Sequence, residues 1–318
     1  MSEKNPLVSI VIITYNSSNT ILETLESVKV QNYKNIELIV SDDCSTDDTV
    51  SVIKGWLDEN RNYFIRTKLV ETPQNTGVVP NVNRGYQEAK GMWIKGLSGD
   101  DKLLPNSIAD YVNFVNDNPQ CKICFGKLYF WGNDEEAVKE SRVYYEQTYY
   151  PYLKADYKVQ WRRIQETLFV PGPGLFYKKS LWEKVGGYDE RFPFADEYPF
   201  TYNVLESGER IYFLDKEVYG YQIRKGSLCR EEQGKNVRVF NDQYRYIKDV
   251  HIKKVVKYGY PFIALHVLIV YFQNSFVYTK TPGIIRKLAL GLYFLSPYSY
   301  KYICRRIVAK LVHYIKHS

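Results

Sequence analysis

Cysteine is scarce, and its placement excludes more than it offers. The five residues Cys44, Cys121, Cys124, Cys229 and Cys304 are odd in number and scattered, so no disulfide framework is expected. Cys121-Lys-Ile-Cys124 has the spacing of a metal or redox pair, but no second pair or neighbouring histidine completes a zinc site. Reduced thiols in a cytoplasmic setting are expected. The chain lacks GxGxxG after its first apolar run and lacks GxxxxGK[ST] altogether, which removes support from dinucleotide-dehydrogenase and P-loop readings. It has no internal repeats and no low-complexity linker. The first apolar run, Leu7–Ile13, is too short and wrongly flanked for the core of a secretory signal, so none is expected. The run Tyr260–Phe272, interrupted by His266, falls short of the roughly 20 residues that span a bilayer.

Acidic residues are absent from His251 to Ser318, where 11 Lys/Arg stand. The other 32 basic residues share positions 1–250 with all 36 acidic ones, a net charge of −4 there. A mildly acidic body with a strongly basic tail implies that the tail meets an anionic surface. Ile284–Tyr293 and Tyr302–Ile315 interleave Lys/Arg with Leu, Ile, Val and Tyr, a pattern that suits helices lying in a membrane interface, or a helical cap packed on the rest of the protein. The 30 tyrosines supply amphipathic rings that stack on bases and sugars or sit at an interface, although compositional bias explains them equally well.

Hydrophobic residues make up 45% of the 318, enough for a sizeable core. The β-branched run Val8–Ile13 reads as a buried parallel strand, followed by a helix capped by Asn19/Thr20 with Ile21, Leu25 and Val28 on one face. Strands are expected at Ile36–Val40, Ile65–Val70 and Met92–Leu97, with helices from Asp47/Asp48 to Trp56 and over Asn81–Lys90. This alternation predicts an open α/β sheet, mostly parallel. Farther on, Cys121–Phe130, Leu175–Tyr177, Arg210–Leu214 and Val218–Arg224 read as strands, and Ser180–Val185 and Glu197–Glu206 as helices. Tyr144–Tyr157 reads as an irregular, mobile loop.

In such sheets, ligands bind beyond the carboxyl ends of the strands. Three of these ends carry polar clusters: Tyr15/Asn16, Asp42/Asp43 and Asp100/Asp101. Adjacent carboxylates there need donors or a cation. Base N–H groups and ribose hydroxyls would serve Asp42/Asp43, whereas helix capping accounts for Asp47/Asp48. Gly99 allows a tight bend, and Asp100/Asp101 offer hard oxygen ligands for Mg²⁺ or Mn²⁺ on a diphosphate. Asp196 and Glu197 sit at a helix start, where carboxylates are favoured in any case. They are also candidates for a general base acting on an acceptor hydroxyl.

Val8-Ser-Ile-Val-Ile-Ile-Thr-Tyr-Asn16, Asp42-Asp-Cys-Ser-Thr46, Asn75-Thr-Gly77, Asn83-Arg-Gly85, Gly91-Met-Trp-Ile94 and Gly99-Asp-Asp101 occur in an order and spacing that resembles the family 2 glycosyltransferases. The resemblance covers about residues 6–230 and implies the GT-A fold, with a nucleotide-sugar-binding half (1–105), an acceptor-binding half (106–230) and a helical basic extension (231–318). It implies that Tyr15 stacks on the base and that Asp43, with Asp42 beside it, binds uracil and ribose. Thr14, Asn16 and Asn83 fall in the same donor-binding motifs. Asp100 matches the last carboxylate of the family's DXD metal motif, whose first position is Ser98 here, so Asp101 is a second candidate ligand for Mn²⁺ or Mg²⁺. Glu197 matches the catalytic base, with Asp196 as second choice. Arg224, in Tyr221-Gln-Ile-Arg224-Lys-Gly-Ser227, stands where the family has His and would contact the diphosphate. Gly174 falls where the family shapes its acceptor pocket.

The resemblance further implies inverting transfer from a nucleotide sugar, a UDP-sugar foremost. The acceptor would be a glycan or a polyprenyl-linked oligosaccharide used for surface polysaccharide, at the inner face of the plasma membrane. No nucleic-acid partner is expected. Two other readings are a nucleotidyltransferase, which would want Gly and a basic residue in the loop Tyr15–Asn19, and a non-enzymatic lipid- or nucleic-acid-binding protein, which would have no need of the carboxylates.

Overall fold

A computed structural model describes residues 4–195, 197–224 and 237–278. The first half alternates β1 (Val8–Thr14), α1 (Ile21–Lys29), β2 (Ile36–Asp42), α2 (Thr49–Asn60), β3 (Arg66–Glu71), α3 (Val78–Gln87), β4 (Trp93–Ser98) and the short β5 (Lys102–Leu103). There follow α4 (Ser107–Asp117), β6 (Ile123–Gly132), α5 (Glu135–Thr148), α6 (Tyr150–Lys154), α7 (Tyr157–Glu166), β7 (Leu175–Lys178), α8 (Lys179–Lys184), α9 (Glu197–Glu206) and β8 (Tyr212–Ile223). After the undescribed residues come α10 (Val237–Tyr246), α11 (Ile252–Lys257) and α12 (Pro261–Tyr278).

The eight strands form one sheet in the order β3-β2-β1-β4-β7-β6-β8-β5. The first four are parallel, as helical crossovers between successive strands dictate. β7 runs antiparallel to β4 and β6, β8 is parallel to β6, and β5 is antiparallel to β8. All of β2 and all of β1 except Ile13 are buried, which explains their nearly unbroken apolar sequences. α1 buries Ile21, Leu25 and Val28, the stripe expected of its spacing. α3 lies close on β1: a Cβ at Gly85 would come within 2.6 Å of Val11 Cγ1.

Three features differ from the sequence reading. The Tyr144–Tyr157 stretch is helical rather than a loop. Asp134 and Asp156 cap α5 and α7 by accepting from the amides of Ala137 and Val159, and the Tyr145 and Tyr149 rings, one turn apart, meet at 4.8 Å. Arg210–Leu214 and Val218–Arg224 are one strand, β8. Its exposed middle, Asp215-Lys216-Glu217, coincides with shifts in its register against β6. α3 begins at Val78, with Pro80 in its first turn, where a missing N–H costs nothing.

The described residues after 236 contribute to the main core. Tyr246, Ile247, Val255, Ile263, Ala264 and Val267 are buried in the same cluster as the sheet residues. A π-helical turn, Ile247–His251, joins α10 to α11 and brings the His251 ring within 3.1 Å of Tyr198 Oη and 3.0 Å of the Gln165 carbonyl. Burial pushes that imidazole down to about 4. Among the described residues no helix is long and apolar enough to cross a membrane. The basic stretches Ile284–Tyr293 and Tyr302–Ile315 lie outside the described residues.

Candidate functional site

A cleft of about 610 Å³ opens beyond the carboxyl ends of β1 and β4, a volume typical of small-molecule sites. Thr14, Tyr15, Asn16, Asp43, Asp100, Asp101, Glu197 and Arg224 all line it. Asp42 and Asn83 do not. Asp196 lies outside the described residues.

At one end, Tyr15 is 47% exposed, so its ring is available to a planar partner. Asn16 takes φ = 50°, a conformation that Asn tolerates better than most residues. Its Oδ1 accepts from the Thr46 amide, which ties the loop after β1 to the loop after β2. Thr14 is buried and donates to Asp42.

The tandem carboxylates Asp42 and Asp43 meet different partners. Asp42 Oδ2 accepts from Thr14 Oγ1 at 2.8 Å and from Ser45 Oγ at 2.6 Å, while Oδ1 takes the Ser45 amide at 2.8 Å. These contacts close the loop after β2. Asp43 faces the cleft with its carboxylate gripped by the 75–77 turn: Oδ2 takes the amides of Thr76 and Gly77, and Oδ1 takes Thr76 Oγ1 and Arg84 Nη2. The φ of 95° at Gly77 shapes that turn.

Within Asn83-Arg-Gly85, Arg84 is the residue that meets Asp43. Asn83 points away: its Nδ2 donates to the Tyr188 carbonyl and Glu190 Oε1, and its Oδ1 accepts the Tyr188 amide, which fastens α3 to the segment after α8. Helix phase separates these two neighbours.

Also on the cleft wall, Arg224 and Asp100 form an ion pair. Asp101 is buried, with Oδ2 bonded by Tyr219 Oη at 2.7 Å and Oδ1 by the Gln222 amide at 2.8 Å. Burial, then the neighbouring Asp100 carboxylate, push its carboxyl up to about 8. These two hydrogen bonds anchor β8 to the turn after β4. Among the described residues no three His, Cys, Asp or Glu side chains cluster as a closed metal cage. A cation of the Mg²⁺ type held mainly by substrate phosphates needs one or two protein carboxylates, and Asp100 fits that role.

Glu197 opens α9 and accepts the Gly172 amide at 2.8 Å. A Cβ at Gly172 would stand 3.1 Å from its carboxylate oxygen, so the glycine admits the close approach. The turn behind Gly172 is pinned by Lys95, a fully buried residue whose Nζ donates to the carbonyls of Pro173 and Leu175. Burial pulls that amine down to about 7. Gly172 and Pro173, rather than Gly174, line the cleft; Gly174 is packed against Gly126 and Phe125. Three further lining residues, Arg238, Val239 and Gln243, come from α10, which the sequence reading assigned to the extension.

The sequence profile of the family described as "Glycosyl transferase family 2" matches residues 9–185. A protein of Sinorhizobium fredii is 26% identical over 269 residues, covering 82% of this chain and 27% of that protein. An uncharacterized glycosyltransferase of Rickettsia typhi is 29% identical over 222 residues, covering 67% of this chain and 63% of its own length. This chain therefore spans less than two thirds of either relative. Among solved structures, S. aureus TarS 1–349 in complex with UDP superposes with a TM-score of 0.59 at 19% identity, covering 87% of this chain and 73% of that one. The mannosyltransferase PcManGT from Pyrobaculum calidifontis, in complex with GDP-Man and Mn²⁺, gives 0.56 at 17% identity over 94% and 83%. These likenesses carry the fold, a GT-A-like α/β architecture with a mostly parallel sheet. The profile spans more than half of the chain, from β1 through α8, and the protein belongs to glycosyl transferase family 2.

Proposed function

We propose that this chain transfers one sugar, with inversion, from a nucleotide-sugar donor to a hydroxyl of a glycan or polyprenyl-linked oligosaccharide during surface polysaccharide synthesis. The observation that carries the reading is the meeting of Tyr15, Asp100, Arg224 and Glu197 in one cleft. Tyr15 stacks on the base, and Asp43, held by Arg84, forms the floor beside it. Arg224 takes the diphosphate, where charge develops as the bond to the sugar breaks. Asp100 would hold Mn²⁺ or Mg²⁺, which when bound neutralises that same charge. Glu197 removes the acceptor proton, and attack comes from the face opposite the diphosphate. A UDP-sugar is the favoured donor, in keeping with the TarS neighbour solved with UDP-GlcNAc.

Residues 1–230 would form the catalytic unit and 231–318 an extension that, with its basic tail, holds the enzyme on the inner face of the plasma membrane. The buried contacts of α10 and α11 tie that extension to the catalytic unit. The test is a panel of nucleotide sugars with Mn²⁺, read by thermal stabilisation and by slow nucleotide release. Stabilisation by one donor, with release of its nucleotide, supports the reading. A protein that none of the panel stabilises and that releases no nucleotide contradicts it.

A further inference from the structure

β4 is largely buried, yet its third residue is a lysine: Lys95 stands between Ile94 and Gly96 with no exposed surface. An ammonium group loses its hydration in such a slot. A methionine of similar length would fill the space without that cost. The contacts of the amine account for its presence. Nζ donates to the carbonyls of Pro173 and Leu175. It also stands 4.5 Å from the centre of the Tyr219 ring, a further wall of the slot.

The turn at residues 171–174 is held through its carbonyls. The Gly172 oxygen takes the Leu175 amide at 3.0 Å. The Gly174 oxygen takes two donors, the Gly126 amide and Tyr111 Oη, each at 2.8 Å. The Pro173 oxygen takes the Lys95 amine. With prolines at 171 and 173, the turn has two amides fewer to anchor itself, so a side chain supplies the donor. The Gly172 amide in turn donates to Glu197 Oε1 at 2.8 Å. The path from amine to carboxylate is therefore a single peptide unit with a hydrogen bond at each end.

We propose that Lys95 is a positioning residue of the transfer reaction: by holding the Pro173 carbonyl it sets the Gly172 amide, and through that amide the orientation of the Glu197 carboxylate. Lys95 is not among the described residues that line the cleft, so it acts through Glu197 and not on the substrates. The inference rests on the glycosyl-transfer reading above.

Water can stand in for the acceptor hydroxyl: Glu197 takes its proton, its oxygen bonds to the anomeric carbon, and the nucleoside diphosphate leaves. Nucleotide release is measured on the full chain with Mn²⁺ and UDP-GlcNAc, UDP-glucose or GDP-mannose, whichever is turned over, above a protein-free blank. The parent is compared with Lys95→Met, Glu197→Gln and the double variant. Lys95→Met should lower kcat about 10- to 100-fold, the loss that a misplaced group brings, with the donor KM within about threefold. In the Glu197→Gln background the same substitution should cost less than about threefold, because residues that act as a unit are not additive. Lys95→Gln keeps an N–H donor at shorter reach and should fall between the parent and Lys95→Met. Tyr111→Phe should stay within about twofold, since the Gly126 amide still holds Gly174. Thermal unfolding checks that each variant is folded, and Lys95→Gln carries the comparison should Lys95→Met not fold. A parental kcat in Lys95→Met overturns the proposal, as does a loss that appears in the donor KM alone. An equal loss in both backgrounds overturns it too, since Lys95 would then support only the fold. A parent that releases nucleotide from none of these donors sinks the glycosyl-transfer reading and this inference with it.

Discussion

Arg224 places Nε and Nη2 on a single oxygen of Asp100, at 3.1 and 2.7 Å. The cation proposed for the diphosphate and the carboxylate proposed for the metal thus neutralise each other. On the proposed reading a metal–nucleotide complex would divide the pair, drawing Asp100 to the metal and Arg224 to phosphate.

That exchange predicts different losses at the two positions. Asp100→Asn should abolish the enhancement of UDP binding by Mn²⁺ in calorimetry. Arg224→Ala should weaken UDP about tenfold, as expected for losing a charge-assisted hydrogen bond, while the enhancement by metal persists. UDP affinity that is unchanged and metal-independent in the Asp100 variant would show the metal assignment to be wrong.

Asn83 is predicted to act on stability and not on the donor. Its side chain makes two buried hydrogen bonds to Tyr188 and a partly buried one to Glu190. Asn83→Ala should lower the unfolding free energy by about 2 kcal/mol in urea titrations, with UDP affinity unchanged. Weakened UDP binding in a variant of normal stability would return Asn83 to the donor site.

His251 gives the protein an acid sensitivity. Its ordinary value is 6.5, and burial lowers it to about 4 in the folded state. Between those values the unfolded chain holds a proton that the folded chain does not, so this contribution is intact above pH 6.5 and is lost as pH falls toward 4. Lowering the pH from 7.5 to 5 should cost roughly 2 kcal/mol through this group. His251→Gln should show a shallower dependence in urea titrations at the two pH values. An identical slope would remove His251 as the cause.

The tail prediction follows from where the described core ends. Since Val255, Ile263 and Val267 are buried in that core, truncation belongs after Tyr278. The removed segment, 279–318, carries eight Lys/Arg and no Asp/Glu. Its loss should weaken binding to vesicles containing phosphatidylserine, most strongly at low salt. Equal binding with and without the segment would refute membrane attachment through the tail.

Much of the first half was legible because each buried strand there is a short apolar run, followed by a polar turn and a helix of regular period. The site was legible by strand ends, which bring Tyr15, Asp43 and Asp100 together. Less legible was how differently adjacent polar residues are held: Asp42 meets Thr14 and Ser45 while Asp43 meets Thr76, Gly77 and Arg84, Asn83 meets Tyr188 and Glu190, and Asp101 bonds to β8 while Asp100 pairs with Arg224. Arg238 and Gln243 were out of reach, since no local pattern signals that α10 folds back onto a cleft built by residues far earlier in the chain. The helix α5 was hidden because tyrosine favours strands as readily as loops, and its buried face is aromatic packing on Phe130 rather than an aliphatic stripe.

Glu197→Gln offers the most direct measurement. The glutamine amide oxygen can still accept from Gly172, so the fold and the donor site should persist. UDP-sugar affinity by calorimetry should stay within about threefold of the parent, while transfer to acceptor should fall at least 100-fold, the usual contribution of a positioned base. A variant that transfers sugar at the parental rate would contradict the role of Glu197 and the convergence on which the proposed reaction depends.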